Sequence, residues 1–481
     1  MLEGLEITII NKSQILDDNS EFRIDSEYYK AEYLQLYKKL IETPILSELV
    51  DMSDLSTNGS FATVAEIIHD NKPKVIPFIR SGNTGDTFIN KSELEFISKE
   101  AHDRLPKSTT HLHDIMMARK GKIGGASIIM PEDVDFNCNE NVIKLNIRDK
   151  KKINPFYFTA FFNSKYGLKQ VERLSTGNVQ PWVSIFQIRK LKLFVPSTNF
   201  QNAVEKLIVE AHSQIQRSKK LYQEAENILF DALDLKDFVP NTEPINIKSF
   251  KDSFQKTGRI DAEYYQKKYE EIVNHITVQK YNVLKNIVSI SKSIEPGSIH
   301  YSEDEGMNFY RVADYNKFGL NKPAKKLTNS FVNTNLEQIE KLKPKKGTIL
   351  FSKDGSVGTA YLLRENLDGI TSGAILQLKI KNNKELIPEY LTLVLNSKLV
   401  QMQAERDSGG SIILHWRKEE IENVVVPVVD FPIQKKISDL VEQSFQSKIK
   451  SENILKVAKA TIEISIEKSE GNAIKFIKEN F

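Results

Sequence analysis

Asn and Gln side chains can pair with the adenine edge, Arg and Lys with guanine or with phosphate. Ser175-Thr176-Gly177-Asn178-Val179-Gln180-Pro181-Trp182 concentrates groups of this kind beside an aromatic ring. It is the preferred candidate for a loop that reads a nucleic acid, with Thr176, Asn178, Gln180 and Trp182 as its contacts. A second stretch, Ser408-Gly409-Gly410-Ser411 through His415-Trp416-Arg417, has the same layout but differs in nearly every polar side chain. Ser411, His415 and Arg417 are its candidates, and two such loops would read different sequences. Arg119-Lys120-Gly121-Lys122 places three cations around a turn glycine, where the backbone can approach a phosphate that Arg119, Lys120 and Lys122 neutralise. Lys353-Asp354-Gly355-Ser356 is the matching turn, contributing Lys353 and Ser356. Arg80 with Asn83, and Arg311 with Asp314, each follow an apolar strand and are further candidates, while Lys343, Lys345 and Lys346 supply phosphate attraction or solubility. The competing reading of the turns is ordinary solvation, and of Trp182 and Trp416, core anchors.

Catalytic chemistry finds less support. Asn154-Pro155-Phe156 lacks the second proline of an adenine-methyltransferase motif, and Gly121, Gly124 and Gly125 lack dinucleotide-loop spacing. A GxxxxGK[ST] stretch is missing, His111 and His113 have no partners at metal-ligand spacing, and Glu132-Asp133 is most simply a turn. The sequence therefore predicts no catalytic residue, no metal ligand and no cofactor bound by this chain.

The elements that would position these loops occur twice. Arg23-Ile24-Asp25-Ser26-Glu27-Tyr28-Tyr29 returns as Arg259-Ile260-Asp261-Ala262-Glu263-Tyr264-Tyr265, 236 positions later. Pro77 to Arg80 parallels Asn308 to Arg311, Asp114 to Gly121 parallels Thr348 to Gly355, and Asn163-Ser164-Lys165 recurs as Asn396-Ser397-Lys398. Asp114 to Arg119, Ala126 to Met130 and Val142 to Ile147 have strand character. After Pro196 a heptad seam begins, running through Val204, Ile208, Ala211, Ile215, Ser218, Tyr222, Ala225, Leu229 and Ala232. Its looser counterpart after Pro427 holds Ile437, Val441, Ile449, Leu455, Ala458, Ile462 and Ile466. The simplest burial for each seam is the other, in antiparallel helices about 50 Å long. The paired tyrosines are expected to pack against the helices or a partner subunit.

A chain of 481 residues, 40% apolar and 27% charged, is expected to form several soluble globular domains. Its net charge of +3 requires any nucleic-acid affinity to come from local clusters. The apolar run Val424 to Val429 is too short for a bilayer, Met1 to Ser13 lacks a secretion pattern, and the single Cys138 suits a reducing cytoplasm.

The order of variable domain, long helix, variable domain, long helix resembles the specificity subunit of type I restriction-modification systems. Lys346 to Gly358 resembles that family's recurrent strand-turn-strand segment, with Asp114 to Gly124 its looser first copy, and Gln187 to Pro196 and Glu419 to Pro427 resemble the strand that leads into its helical spacer. The resemblance implies an α+β chain with two strand-rich target-recognition domains in pseudo-two-fold repeat, separated by two long antiparallel coiled-coil helices. The expected boundaries are an N-terminal repeated segment over 1–43, target-recognition domains over 44–198 and 281–429, spacer helices over 199–236 and 430–481, and a linker with the repeated Arg-Ile-Asp segment over 237–280. It further implies that the partners are double-stranded DNA, two methyltransferase subunits and restriction-motor subunits, with no membrane. S-adenosylmethionine, ATP and Mg are expected on those subunits. A recognition subunit of another DNA-modification or defence system, or a helical protein-binding scaffold, remains the alternative.

Overall fold

The computed structural model describes residues 8–17, 23–177, 180–410 and 413–481. The chain divides into two units, residues 1–215 with 449–481 and residues 216–448. In the first, a five-stranded sheet runs in the order Val50–Ser53, Val142–Ile147, Ile115–Ala118, Ser127–Ile128, Thr87–Phe88. Ile115 to Ala118 are all buried, so this strand shows no polar alternation. A smaller sheet orders Glu95–Ser98, Lys74–Ile79 and Asn137–Cys138, the last two parallel. Helix Pro155–Phe162 is apolar on every side and entirely buried. Asn154 starts it, its Oδ1 accepting from the Phe156 and Tyr157 amides at 2.9 and 3.3 Å, so the Asn-Pro-Phe triplet is a helix cap.

The second unit repeats this plan. One of its sheets orders Val288–Lys292, Ile375–Ile380, Ile349–Ser352 and Ala360–Leu362; another orders Tyr301–Ser302, Lys325–Leu327, Met307–Tyr310 and Ile370–Thr371. The duplication extends to individual hydrogen bonds. Asn163 Oδ1 accepts from the Ala126 amide at 3.0 Å and its Nδ2 donates to the Ala126 carbonyl at 2.7 Å; Asn396 does the same to Ala360 at 3.0 and 2.8 Å. Gln170 clamps Lys192 as Gln403 clamps Val425, and the Tyr157 and Tyr390 hydroxyls donate to the Phe194 and Pro427 carbonyls. Removing the Asn163 amide strands the Ala126 N–H in a dry site, while the Ala126 carbonyl keeps its bond from the Thr87 amide at 3.1 Å. Asn163→Ala is therefore expected to destabilise the first unit by about 2 kcal/mol and to expose the Ala126 amide to hydrogen exchange. Wild-type protection at Ala126 would contradict this account.

Two long helices, Thr198–Ala232 and Phe431–Glu467, contribute a stretch to each unit. In the first unit Ser197 N donates to Glu470 Oε1 at 3.0 Å and Ser451 Oγ donates to the Ala211 carbonyl at 2.7 Å. In the second, Ser444 Oγ donates to the Ser218 carbonyl at 2.8 Å. Numbers rise along one helix as they fall along the other, which makes the pair antiparallel. Of the first helix's expected seam, Ile215 and Ala232 are partly covered and the rest are buried. The second helix departs from expectation at Ile449, which is 41% exposed and lies off the seam. Buried Ser444, Ser447 and Ser451 fill the middle of that seam instead, because a small side chain whose hydroxyl bonds a carbonyl suits a close approach better than a branched one.

Candidate nucleic-acid interface

The cationic turn and the polar loop of the first unit, some 55 residues apart in sequence, form one surface. Gly121 N donates to the Pro181 carbonyl at 3.1 Å and Val183 N to the Arg119 carbonyl at 2.8 Å. The loop closes on itself through Thr176 and Trp182, whose amides donate to each other's carbonyls at 3.0 and 2.9 Å. Gly177 turns the corner at φ 96°, where a Cβ would stand 2.7 Å from the Gln180 carbonyl oxygen. Trp182 is 47% exposed, so it is not the core anchor of the competing reading, and Gln180 is exposed near it. Thr176 Oγ1 is buried and has no hydrogen-bond partner among the described residues. Asn178 lies outside those residues.

The three cations of the turn differ. Arg119 Nη1 is 3.3 Å from Oδ2 of the fully buried Asp54, and Lys122 Nζ is 2.7 Å from Asp86 Oδ2. Lys120 is exposed and makes no ion pair among the described residues, which leaves it the freest cation for a phosphate.

The second unit builds the same frame with other side chains. Gly355 N donates to the Leu414 carbonyl at 2.8 Å, Trp416 N to the Lys353 carbonyl at 2.7 Å, and His415 and Gly409 exchange amide bonds at 2.7 and 3.0 Å. Gly410 turns at φ 129°, and a Cβ there would collide with the Ile413 carbonyl. His415 thus occupies the place of Trp182, and Trp416 that of Val183. Trp416 is 1% exposed, packed 5.7 Å from the Phe351 ring, and is a core anchor. His415 Nδ1 lies 2.9 Å from Asp354 Oδ1, whose other oxygen is 2.5 Å from Lys353 Nζ. Arg417 is exposed, its Nε 3.0 Å from Glu420 Oε1, and Ser356 is exposed on the turn. Ser411 lies outside the described residues.

Two sequence candidates are corrected. Asn83 and Asp314 are buried, and each spends its side chain on the loop that follows its strand. Asn83 Oδ1 accepts from the Arg80 amide at 2.9 Å while Nδ2 donates to the Asn90 and Ser92 carbonyls; Asp314 Oδ2 accepts from the Arg311 amide at 2.8 Å. They shape the loops and present nothing outward. Arg80 pairs with Glu95 at 2.6 Å, and Arg311 Nε stands 3.8 Å from Asp314 Oδ2.

The repeated Arg-Ile-Asp segment has a role that the sequence did not reveal. Arg23 is held by Asp25 and donates from Nη1 to the Ser175 carbonyl at 3.0 Å, the first residue of the polar loop. Arg259, held by Asp261, donates to the Asp407 carbonyl at 3.1 Å. Tyr28 lies under the Arg173 guanidinium at 4.3 Å, and Tyr264 faces Arg406 at 5.2 Å. The tyrosines therefore pack on the short helices Lys165–Leu174 and Lys398–Asp407, which end where the loops begin. An Arg two residues before an Asp, recurring with a tyrosine pair, was the available signal.

Among the described residues no cluster of His, Cys, Asp and Glu is arranged to hold a metal ion, and no helix is long and apolar enough to cross a membrane. The His113 ring stands edge-on to Phe156 at 5.1 Å, and burial lowers its pKa. Burial pushes the Cys138 thiol up to about 12, which leaves it an inert core group.

The family model for the type I restriction modification DNA specificity domain matches residues 46–227 and again 284–459, together about three quarters of the chain. No curated protein matches. Among solved structures, the chain is similar to the S subunit of a type I restriction-modification system from M. genitalium, at 14% identity over 88% of this chain and 94% of that one, with a TM-score of 0.39. A structure described as showing complex assembly and conformational transition of the type I R-M system matches at 13% identity over 90% and 96%, TM-score 0.28. The HsdS subunit from Thermoanaerobacter tengcongensis matches at 13% identity over 89% and 96%, TM-score 0.27. Two successive copies of one specificity domain, each matched in full view of the duplicated hydrogen bonds, place this chain in the type I restriction-modification DNA specificity family.

Proposed function

We propose that this chain reads a bipartite DNA target for a type I restriction-modification enzyme, with residues 44–198 and 281–429 as its two target-recognition domains. One observation carries the reading: the same hairpin-and-loop frame occurs in both units but ends in Trp182, Gln180 and Lys120 in one and in His415, Asp354 and Ser356 in the other. A conserved backbone with exchanged tips suits two readers of unlike half-sites. Methylation of adenine and restriction are assigned to two methyltransferase subunits and to restriction-motor subunits, which would bind S-adenosylmethionine, ATP and Mg. The helices Thr198–Ala232 and Phe431–Glu467 would fix the number of base pairs between half-sites.

Long-read modification mapping in cells expressing the chain with its cognate methyltransferase tests this. The expected product is one bipartite adenine-methylated motif with a spacer of constant length. A contiguous motif, or methylation without sequence preference, would refute the reading.

A further inference from the structure

We propose that His415 reads a base edge in the second half-site as a hydrogen-bond acceptor, and that Asp354 is the positioning residue that makes it one. The inference rests on the DNA-reading function proposed above and names the chemistry of one of its contacts.

A neutral imidazole has one N–H and one lone pair, and which nitrogen holds which depends on the partner of the other. An ionised carboxylate only accepts. Asp354 Oδ1 at 2.9 Å from His415 Nδ1 therefore places the hydrogen on Nδ1 and leaves the Nε2 lone pair free. The rest of the surroundings fix the ring. The Gly409 and His415 amides bond each other's carbonyls, His415 also pairs with Asp354 across the hairpin, and Lys353 Nζ holds the second carboxylate oxygen. The His415 side chain is nevertheless 64% exposed, so the ring held by Asp354 is accessible to a partner.

The groups that donate in the major groove are the exocyclic amines, N6 of adenine and N4 of cytosine. Trp182, at the same place in the first unit, carries an indole N–H that only donates. The shared frame thus carries opposite hydrogen-bonding senses at its tips.

The test uses the assembled methyltransferase complex. His415→Ala is expected to relax a single position in one half-site and to leave every other position of the motif intact. At that position, oligonucleotides carrying purine for adenine, or pyrimidin-2-one for cytosine, lack only the amino group. Wild-type complex should bind them roughly tenfold more weakly, one hydrogen bond's worth, and the His415→Ala complex should bind both versions equally. Asp354→Ala should relax the same position in part, because the tautomer is then free. An unchanged motif in His415→Ala would overturn the proposal, as would an equal weakening on all sequences or an amino-group effect that persists without His415. In these three results the bipartite motif of the wild type still stands, whereas a wild-type complex with no bipartite motif removes the specificity reading and this inference with it.

Discussion

Deleting residues 213–219 together with residues 443–449 is expected to shorten the preferred spacer by about three base pairs, with both half-site sequences unchanged. These segments face each other: Ala211 meets Ser451 on one side of them, and within them Ser218 meets Ser444. A heptad removed from each helix preserves the seam, since Ala211 is then followed by Tyr222 at the four-residue step that Ile215 supplied, and Val441 by Ser451 at the three-residue step that Ser444 supplied. Seven residues at 1.5 Å each remove about 10 Å, and base pairs rise about 3.4 Å apiece. The deletion turns the helices by only about 20° from whole turns, while three base pairs rotate DNA by about 100°. The shortened target should accordingly become the preferred one at a reduced overall affinity. Modification mapping of the doubly deleted chain gives the spacer directly, and a spacer of wild-type length would refute the role of the helices.

How much of this was legible depended on whether a residue's role lay in its own side chain's hydrophobicity or in a partner far along the chain. Apolar periodicity exposed the first seam, from Val204 to Leu229, and the buried strands around Ile115 and Val142, since burial of such residues is their main contribution. In the looser second seam the apolar Ile449 is preferred to Ser451, since without a regular heptad nothing in serine's own side chain marks it for burial. Only the opposed Ala211 carbonyl, 240 residues away, makes it a seam residue. Duplication showed that the two loops correspond, but two tryptophans invited alignment with each other. The backbone bonds of Lys353 and Arg119 set the true equivalence, Trp182 with His415 and Trp416 with Val183. Asn83 and Asp314 looked like recognition residues for a related reason: Asn and Asp serve base edges and backbone amides equally well, and the choice depends on exposure.

Gly167→Ala is expected to destabilise the first unit by about 3 kcal/mol or more, lowering its Tm by roughly 6–12 °C. Gly167 is buried in helix Lys165–Leu174, and a Cβ there would lie 2.6 Å from the Phe161 carbonyl oxygen and 2.7 Å from the Phe162 carbonyl carbon, with the Phe162 Cα nearer still. All three are backbone atoms, so no rotamer change relieves the clash and helix Pro155–Phe162 must move. That helix has little room to do so, since Phe158 and Phe162 pack ring to ring at 4.8 Å and every one of its residues is buried. The repeat supplies a contrast. Val400 holds the equivalent position in the second unit, fully buried, beside Leu395 where the first unit has Phe162. The fold therefore accepts a side chain at this point, and it is the closer approach of the two helices in the first unit that demands glycine. Because helix Lys165–Leu174 delivers the chain to Ser175, where Arg23 grips it, the displacement should reach the reading loop. If Trp182 and His415 serve the two half-sites as proposed, the substituted chain, assayed with its methyltransferase below its Tm, should lose discrimination in the half-site assigned to Trp182 and keep it in the one assigned to His415. A melting temperature within about 2 °C of wild type, which corresponds to about 1 kcal/mol or less, would show that the helices separate freely and that the glycine is dispensable.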